Sequence, residues 1–561
     1  MNYFSYDNLY DAFFALNNDK TYTYIENNQD EVSIKACDFK KKVHKMLCFL
    51  LRSGLHSGDE LILQVKNCLD FTCIFWACIL GRIIPVPYNY LETDRDYDKL
   101  LKMYKKLKKP YIVADTTAYK RLLQGDPGQI ISDDLKIDEN KIVSVENFEN
   151  EPIYKLNTEQ LCKPRSDDVA FIQFSSGSTS DPKGIALTHR NIIYSISSVI
   201  RSVRLCSKDV YLSWLPLSHN FGLVGTYLTP LLAGCCFYIM SPSAFVSNPS
   251  LWIEKLSEHR ATVSASPDFG LKRICKYLKK SRKHIDLSSL RMIYVGAEPI
   301  SSNVSKTFYD ITSTYGMKNT VLMPSYGLTE ATLTVSVPKQ ERGVVDVYLD
   351  RSHMKIGEKV VECKSSVNSA CFVEVGEFID NIEAKIVDTN GERLEDGKIG
   401  HLFVKGQVVF SGYYNDPKAT EHVFDEKGWF NTGDLGFIRN GRLVITGRAK
   451  DVIFINGENF YLHDIEGACQ NVCGDVVNRT AVGEIYNSEK KCNQLICFIE
   501  LNPEKKSNLS SKDLSRQLKR QVLADLGIAI AKVIQVDTIP LTSSGKIKRY
   551  ELINQYSNIA Q

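Results

Sequence analysis

Around residues 171–191 the chain reads FIQFSSGSTSDPKGIALTHRN, a run of hydroxyls and glycines that closes on Pro-Lys-Gly. Ser175, Ser176, Ser178, Thr179 and Ser180 offer hydroxyls, and Gly177 and Gly184 let backbone amides approach closely. Lys183 adds a positive charge where phosphate charge would gather. That set suits the phosphates of a nucleotide. A Walker loop is excluded, because Pro182 stands where its second glycine belongs and Gly184, not Ser or Thr, follows Lys183. A solvated Ser/Gly linker is the plain alternative. The flanks oppose it: 169–174 reads as a short apolar strand and 190–199 as the start of a helix. The loop, 174–184, is therefore expected at a strand-to-helix junction.

Further on come SWLPLSHNFGLVG at 213–225, VGAEP at 295–299, SYGLTEAT at 325–332, NTGDL at 431–435, TGRAKD at 446–451 and PLTSSGKIKR at 540–549. Together with S-S-G-S-T-x-D-P-K-G they resemble, in order and over about 380 residues, the motif series of the adenylate-forming superfamily. That superfamily holds acyl- and aryl-CoA ligases, luciferases, peptide-synthetase adenylation domains and fatty acyl-AMP ligases. Ser180 departs from it, standing where glycine is usual, which predicts a slightly stiffer loop and a modest effect on ATP affinity.

The chemistry implied is activation of a carboxylate by attack on the α-phosphorus of ATP, expelling pyrophosphate. The enzyme must hold the two in line and absorb the negative charge that accumulates between them. By resemblance Ser175, Ser176, Gly177, Ser178, Thr179 and Lys183 wrap the phosphates, while Gly296, Ala297 and Glu298 lie along the adenine. Ser325, Tyr326 and Gly327 belong to the adenine and magnesium motif, with the Tyr326 ring against the base. Thr329 bonds the α-phosphate, and Glu330 is the magnesium ligand, a hard oxygen donor of the kind Mg2+ takes beside phosphate. Asp434 accepts the ribose hydroxyls and Arg448 adds a ribose or phosphate contact. Lys450 is the expected hinge, and Lys546 in the C-terminal motif reaches the acyl and α-phosphate oxygens only when the domains close.

Amino-acid adenylating domains carry an aspartate after the phosphate loop to hold the substrate ammonium. LPLSHNFGL offers His219 and Asn220 instead, so an uncharged acyl chain is favoured, with His219, Gly225 and Phe269 near its mouth. SWLPL followed by His219 and Gly222, then Ala244-Phe245, Pro249, Trp252, SPDF at 266–269 and GAEP at 296–299, are similar to the fatty acyl-AMP ligase branch. Asn220 and Asp268 exchange that branch's usual Asp and Asn, which bears on the acyl gate. From Tyr326 to Gly376 there are 50 positions, about twice the spacing of ordinary acyl-CoA ligases. The surplus, about 344–375, resembles the insertion that restrains the lid and disfavours free CoA; a hairpin without effect on chemistry is the alternative. Only 12 residues follow Arg549, so the acceptor is expected to be a separate acyl carrier protein, with CoA as runner-up. A non-catalytic nucleotide or acyl sensor is disfavoured because Lys183, Glu330, Asp434, Arg448 and Lys546 are all present.

The elements that must position these groups follow from the pattern. Apolar strand-like runs at 60–65, 112–114 and 292–296 alternate with amphipathic helices at 191–204 and 305–314. That alternation predicts an α/β fold with largely parallel sheets. The segment 441–451 resembles the family's hinge, which implies a large N-terminal domain, 1–447, of layered sheets flanked by helices, followed by a small mobile α+β lid, 448–561. The most apolar run, CIFWACILGRIIPV at 73–86, is interrupted by Arg82 and too short for a membrane span, so it reads as a buried helix leading into a strand. With 561 residues, 43% hydrophobic and 24% charged, the chain suits a soluble protein of two or more domains. A net charge of +3 gives no reason to invoke nucleic acid or an anionic membrane. The 16 cysteines lack disulfide or zinc spacing and MNYFSYDNLYDAFF is no secretory leader, so reduced thiols in the cytoplasm are expected.

Overall fold

The computed structural model describes residues 6–27, 30–124, 137–148, 162–174, 182–278, 284–338, 342–365, 369–455, 458–487, 492–502, 511–541 and 547–560. The phosphate-loop residues Ser175 to Asp181 and Lys546 thus lie outside the described residues.

Three layered sheets make up the large N-terminal part. In the first, Leu322–Pro324, Met292–Val295, Val263–Ser266, Val210–Ser213, Cys236–Met240 and Thr21–Ile25 run parallel, and Glu31–Lys35 closes the edge antiparallel. The second is wholly parallel: Ile84–Pro87, Glu60–Gln64, Pro110–Ala114 and Ile142–Ser144. The third is wholly antiparallel, running from Tyr326–Gly327 through Thr334–Val337, Ser369–Phe378, Arg442–Arg448, Phe430–Arg439 and Gly400–Gly406 to Ile382–Val387. The α/β expectation holds, with this third sheet wholly antiparallel beside two largely parallel ones.

The helix Cys68–Gly81 is apolar on all sides because it is buried on all sides: every residue from Cys68 to Leu80 except Asp70 is inside. Asn67 caps its first turn and Arg82, in a left-handed conformation, ends it ahead of the strand Ile84–Pro87. The Trp76 indole inside it donates to the Tyr227 hydroxyl at 2.8 Å. Among the described residues no helix is long and apolar enough to cross a membrane.

One local expectation is corrected. The phosphate loop does not join a strand to a helix; it joins Val169–Phe174 to a second strand, Gly184–Thr188, in an antiparallel hairpin. Ile185 and Leu187 are buried, which makes a strand of a segment that reads as loop. The helix His189–Val203 starts only after it, with Thr188 and Asn191 forming a capping box. The Asn191 amide also donates to the carbonyls of Gln407 and Val409, tying the hairpin to the third sheet.

The small C-terminal part has its own apolar cores. Val477–Asn487 and Cys492–Leu501 pair antiparallel and Lys532–Val536 adds a parallel strand. The helices Leu462–Cys473 and Ser511–Leu526 contribute Ile465, Cys469, Leu514, Leu518 and Val522 to one core, and Arg549–Ala560 contributes Leu552 to another. Buried Glu466 grips the Arg549 guanidinium with both oxygens, at 2.6 and 3.1 Å, which anchors the C-terminal lysine motif to this core.

Candidate active site

The site lies where the third sheet meets the first. After the strand Leu322–Pro324, the Ser325 amide donates to the Val295 carbonyl at 2.7 Å, continuing the parallel pairing past the strand end. That pairing brings the 295–299 and 325–332 motifs side by side. A Cβ on Gly296 would stand 2.8 Å from the Ser325 carbonyl oxygen, so only glycine allows the approach. Ala297 holds φ +69°, a left-handed conformation at the segment expected to follow the adenine. Glu298 accepts from the Phe269 amide at 2.7 Å, and Asp268 accepts from the Ser301 amide at 3.0 Å. Those two bonds cross-link the adenine segment to the start of the helix Asp268–Leu278.

Tyr326, Asp434 and Arg448 form a chain. The Tyr326 hydroxyl donates to Asp434 Oδ2, and Arg448 Nε meets Asp434 Oδ1 at 2.8 Å. Cα register explains why: Asp434 and Arg448 are direct cross-strand partners in the hairpin of Phe430–Arg439 and Arg442–Arg448. Asp434 is 4% exposed, so its charge is held inside the protein by these two groups. Burial, then the Asp434 charge beside it, pushes the Tyr326 phenol well above its ordinary range. The Asp434 charge raises the Arg448 guanidinium further.

Thr329 and Glu330 sit on the short 3-10 turn Thr329–Ala331. Burial raises the Glu330 carboxyl, and Tyr413 donates to its Oε1 at 3.2 Å. The Phe410 amide fixes the Glu330 carbonyl at 2.8 Å. Lys183, at the base of the phosphate hairpin, places its ammonium 4.6 Å from the centre of the Tyr413 ring. Next along, Thr332 is buried at φ +62°, unusual for a β-branched residue. Its hydroxyl donates to the Val408 carbonyl at 2.6 Å and its own carbonyl accepts the Asn220 amide, so neighbours on both sides hold the strain.

The Asn220 bond carries the gating motif to the same place. His219 precedes the π-helical turn Phe221–Leu228, and a Cβ on Gly225 within that turn would lie 3.0 Å from the Leu333 side chain. Phe269 packs its edge on Trp214 at 5.7 Å, and Trp214 stacks on Phe245 at 3.7 Å. Lys450 lies on the 3-10 turn Ala449–Asp451 just past Arg448, its ammonium pushed below the usual lysine range by burial.

The structure thus brings Lys183, Gly296, Ala297, Glu298, Ser325, Tyr326, Gly327, Thr329, Glu330, Asp434 and Arg448 onto adjoining strands, turns and loops, with His219, Gly225 and Phe269 on the flanking elements. Ser175, Ser176, Gly177, Ser178, Thr179 and Lys546 are outside the described residues. Sequence reasoning missed Tyr413 and Tyr414. Their signal is two adjacent aromatics just before an Asn-Asp-Pro turn, with Asn415 left-handed at φ +54°.

The chain is similar to known proteins over most of its length. The family model described as AMP-binding enzyme matches residues 17–414. A medium-chain-fatty-acid–[acyl-carrier-protein] ligase of Moorena producens is 28% identical over 552 residues, covering 94% of this chain and 91% of the relative. A long-chain-fatty-acid–AMP ligase of Mycobacterium marinum is 26% identical over 534 residues, covering 89% and 87%. Among solved structures, one from a study of fatty acyl-adenylate ligases of E. coli and L. pneumophila superposes with a TM-score of 0.86 at 25% identity, covering 99% of this chain and 98% of that one.

Proposed function

The chain belongs to the AMP-binding enzyme family, and from that premise we propose that it is a fatty acyl-AMP ligase: it activates a fatty acid with ATP as acyl-AMP, releases pyrophosphate and passes the acyl group to the phosphopantetheine thiol of a separate carrier protein. The observation that carries this reading is the Tyr326–Asp434–Arg448 chain beside Glu330 and Lys183. Asp434 has acceptor oxygens for two ribose hydroxyls once Tyr326 and Arg448 turn toward base and phosphate. Lys183 supplies charge at the phosphate loop, and Thr329 a hydroxyl at the α-phosphate.

Glu330 fits a divalent cation. It is a carboxylate whose charge burial disfavours, and Tyr413 takes one of its oxygens while the other is available to a hard ion. Mg2+ bound there with ATP would neutralise charge on the phosphates during displacement. In the proposed division 1–447 and 448–561, Lys450 is the pivot and Lys546 the cation delivered on closure. The acyl chain would enter past His219, Gly225 and Phe269.

Preference for a carrier over free CoA is supported by the insertion. Asp346–Asp350 pairs with 369–373 as a hairpin, and its Val347, Leu349, Ala370 and Phe372 share one apolar cluster with Leu435, Phe437 and Val444 of the large part and Tyr461 of the small one. Phe372 meets the Tyr461 and His463 rings at 5.9 and 6.5 Å. The Arg351 guanidinium lies 5.8 Å from the Phe460 ring centre. Such packing opposes rotation of the C-terminal part unless docking of the carrier offsets it.

A product assay tests the proposal: purified protein, ATP, Mg2+ and fatty acids of graded length, with no acceptor, with CoA, and with a phosphopantetheinylated carrier. Acyl-AMP that persists with CoA and is consumed by the carrier is expected. Efficient acyl-CoA formation, or no adenylate with any acid, refutes it.

A further inference from the structure

Tyr413 stands between two groups of opposite charge on separate elements. The face of its ring lies under the Lys183 ammonium at 4.6 Å, and its hydroxyl donates to Glu330 Oε1 at 3.2 Å. We propose that Tyr413 is a positioning residue that registers the phosphate-loop lysine against the carboxylate that takes the divalent cation. The inference rests on the roles given to Lys183 and Glu330 above.

The two contacts use different parts of one rigid side chain. A ring face attracts a cation and a phenolic O–H bonds a carboxylate, so the ring holds both charges at fixed, separate points. The hydroxyl occupies one oxygen of Glu330 and orients the other. A donor that bonds a metal ligand from behind in this way sets the direction in which the ligand faces the metal.

The tyrosine cannot easily move. Its backbone bridges Ile185 in the phosphate hairpin, and its amide donates to Thr420 Oγ1 at 2.9 Å. Its ring packs edge-on against Phe410 at 5.0 Å, and Phe410 itself fixes the Glu330 carbonyl. Tyr414 completes the tie: its amide donates to the Gly184 carbonyl at 2.7 Å, and its hydroxyl donates to Glu60 Oε1 at 2.7 Å. Glu60 is 1% exposed and also accepts the Lys108 and Lys109 amides, so this anchor is part of the second sheet. The segment 410–414 therefore joins the phosphate hairpin, the metal-site turn and the second sheet, and Tyr413 is the member that faces both charges.

Two substitutions separate the two contacts. Tyr413→Phe keeps the ring and deletes the hydroxyl; Tyr413→Leu deletes both. With the full-length protein and the α,β-methylene analogue of ATP, free Mn2+ is followed by electron paramagnetic resonance, and metal-free nucleotide affinity by calorimetry in chelator. Tyr413→Phe is expected to weaken Mn2+ binding about 10-fold and to leave metal-free nucleotide affinity unchanged. Tyr413→Leu is expected to weaken Mn2+ similarly and metal-free nucleotide binding by roughly 5-fold as well. Glu330→Gln serves as reference. If it has lost Mn2+ affinity while Tyr413→Phe keeps the native value, the inference is overturned and the site reading stands. If Glu330→Gln itself binds Mn2+ as the native protein does, the assignment of Glu330 fails, and the metal half of the inference with it. Equal loss of metal-free nucleotide affinity in Phe and Leu variants overturns the separation of roles.

Discussion

Replacing Asp268 by asparagine should stabilise the protein at alkaline pH and leave it nearly unchanged in acid. Asp268 starts the helix Asp268–Leu278 beside the expected acyl mouth, and burial pushes its carboxyl from 3.8 to about 7 against the opposing pull of the Ser301 amide and Lys272. The folded state therefore holds a proton that the unfolded chain releases, and stability falls as pH rises from about 4 to about 7. A rise of that size corresponds to about 4 kcal/mol, at about 1.36 kcal/mol for each tenfold change in proton affinity. Asp268 keeps partial contact with solvent, so screening reduces the figure to about 2 kcal/mol. Asparagine preserves the acceptor for the Ser301 amide without the charge. In differential scanning fluorimetry at pH 4 and pH 8, the Asp268→Asn variant should match the native protein at pH 4. At pH 8 it should melt roughly 2–4 °C higher, since a domain of this size shifts by about 1–2 °C per kcal/mol. A gap that does not widen with pH, or a variant less stable than the native protein at pH 8, refutes the argument.

Other expectations follow from the same structure. His189 is 3% exposed and its Nδ1 accepts the Leu9 amide, with burial lowering its imidazole to about 4. Stability should therefore decline as pH falls from about 6.5 toward 4, by up to about 3 kcal/mol, and His189→Gln should flatten that limb of a pH–melting curve. Lys546→Ala should lose adenylate formation, measured by pyrophosphate release, while still transferring acyl groups from supplied acyl-AMP; survival of both half-reactions would show the assignment to be wrong. Removing 344–373 should raise any CoA-dependent product, and unchanged product from a folded variant counts against the role of the insertion. Phe372→Ala is the gentler form of that test, with the same direction and a core cost of about 3–5 kcal/mol that a melting curve would register.

Motif order made the adenylation fold legible in the sequence and pointed to a set of candidate site residues. Asp434, Arg448, Glu330 and Tyr326 were named as candidates only through the resemblance of their motifs, and the structure brings Asp434, Arg448 and Tyr326 into one hydrogen-bonded chain. Pairing was not. Whether 184–188 is loop or strand depends on Ile185 and Leu187 finding a partner in Val169–Phe174, a tertiary fact that the pattern of one segment does not contain. Tyr413 was invisible for a related reason. It lies 230 residues from Lys183 and 83 from Glu330, and an aromatic in a turn-rich stretch reads as packing until its ring face and its hydroxyl are seen to meet opposite charges.

Under the role proposed for the insertion, a small apolar contact would govern acceptor choice without touching the reacting atoms. Tyr461 is 1% exposed within a cluster built from the insertion and the large part, and its hydroxyl bonds Thr446 Oγ1 at 2.9 Å, only a few residues before the turn proposed as the hinge. Any large rotation about Ala449–Asp451 must withdraw that ring from Phe372. Re-exposing one large side chain costs about 1.5–3 kcal/mol, which alone lowers the rotated population by about 10- to 150-fold. Free CoA gains contacts only through its own pantetheine arm, whereas a carrier also docks a protein surface. On that proposal the same penalty would weigh more heavily on CoA than on a carrier, and discrimination would follow from where Tyr461 is buried without a group that recognises CoA itself.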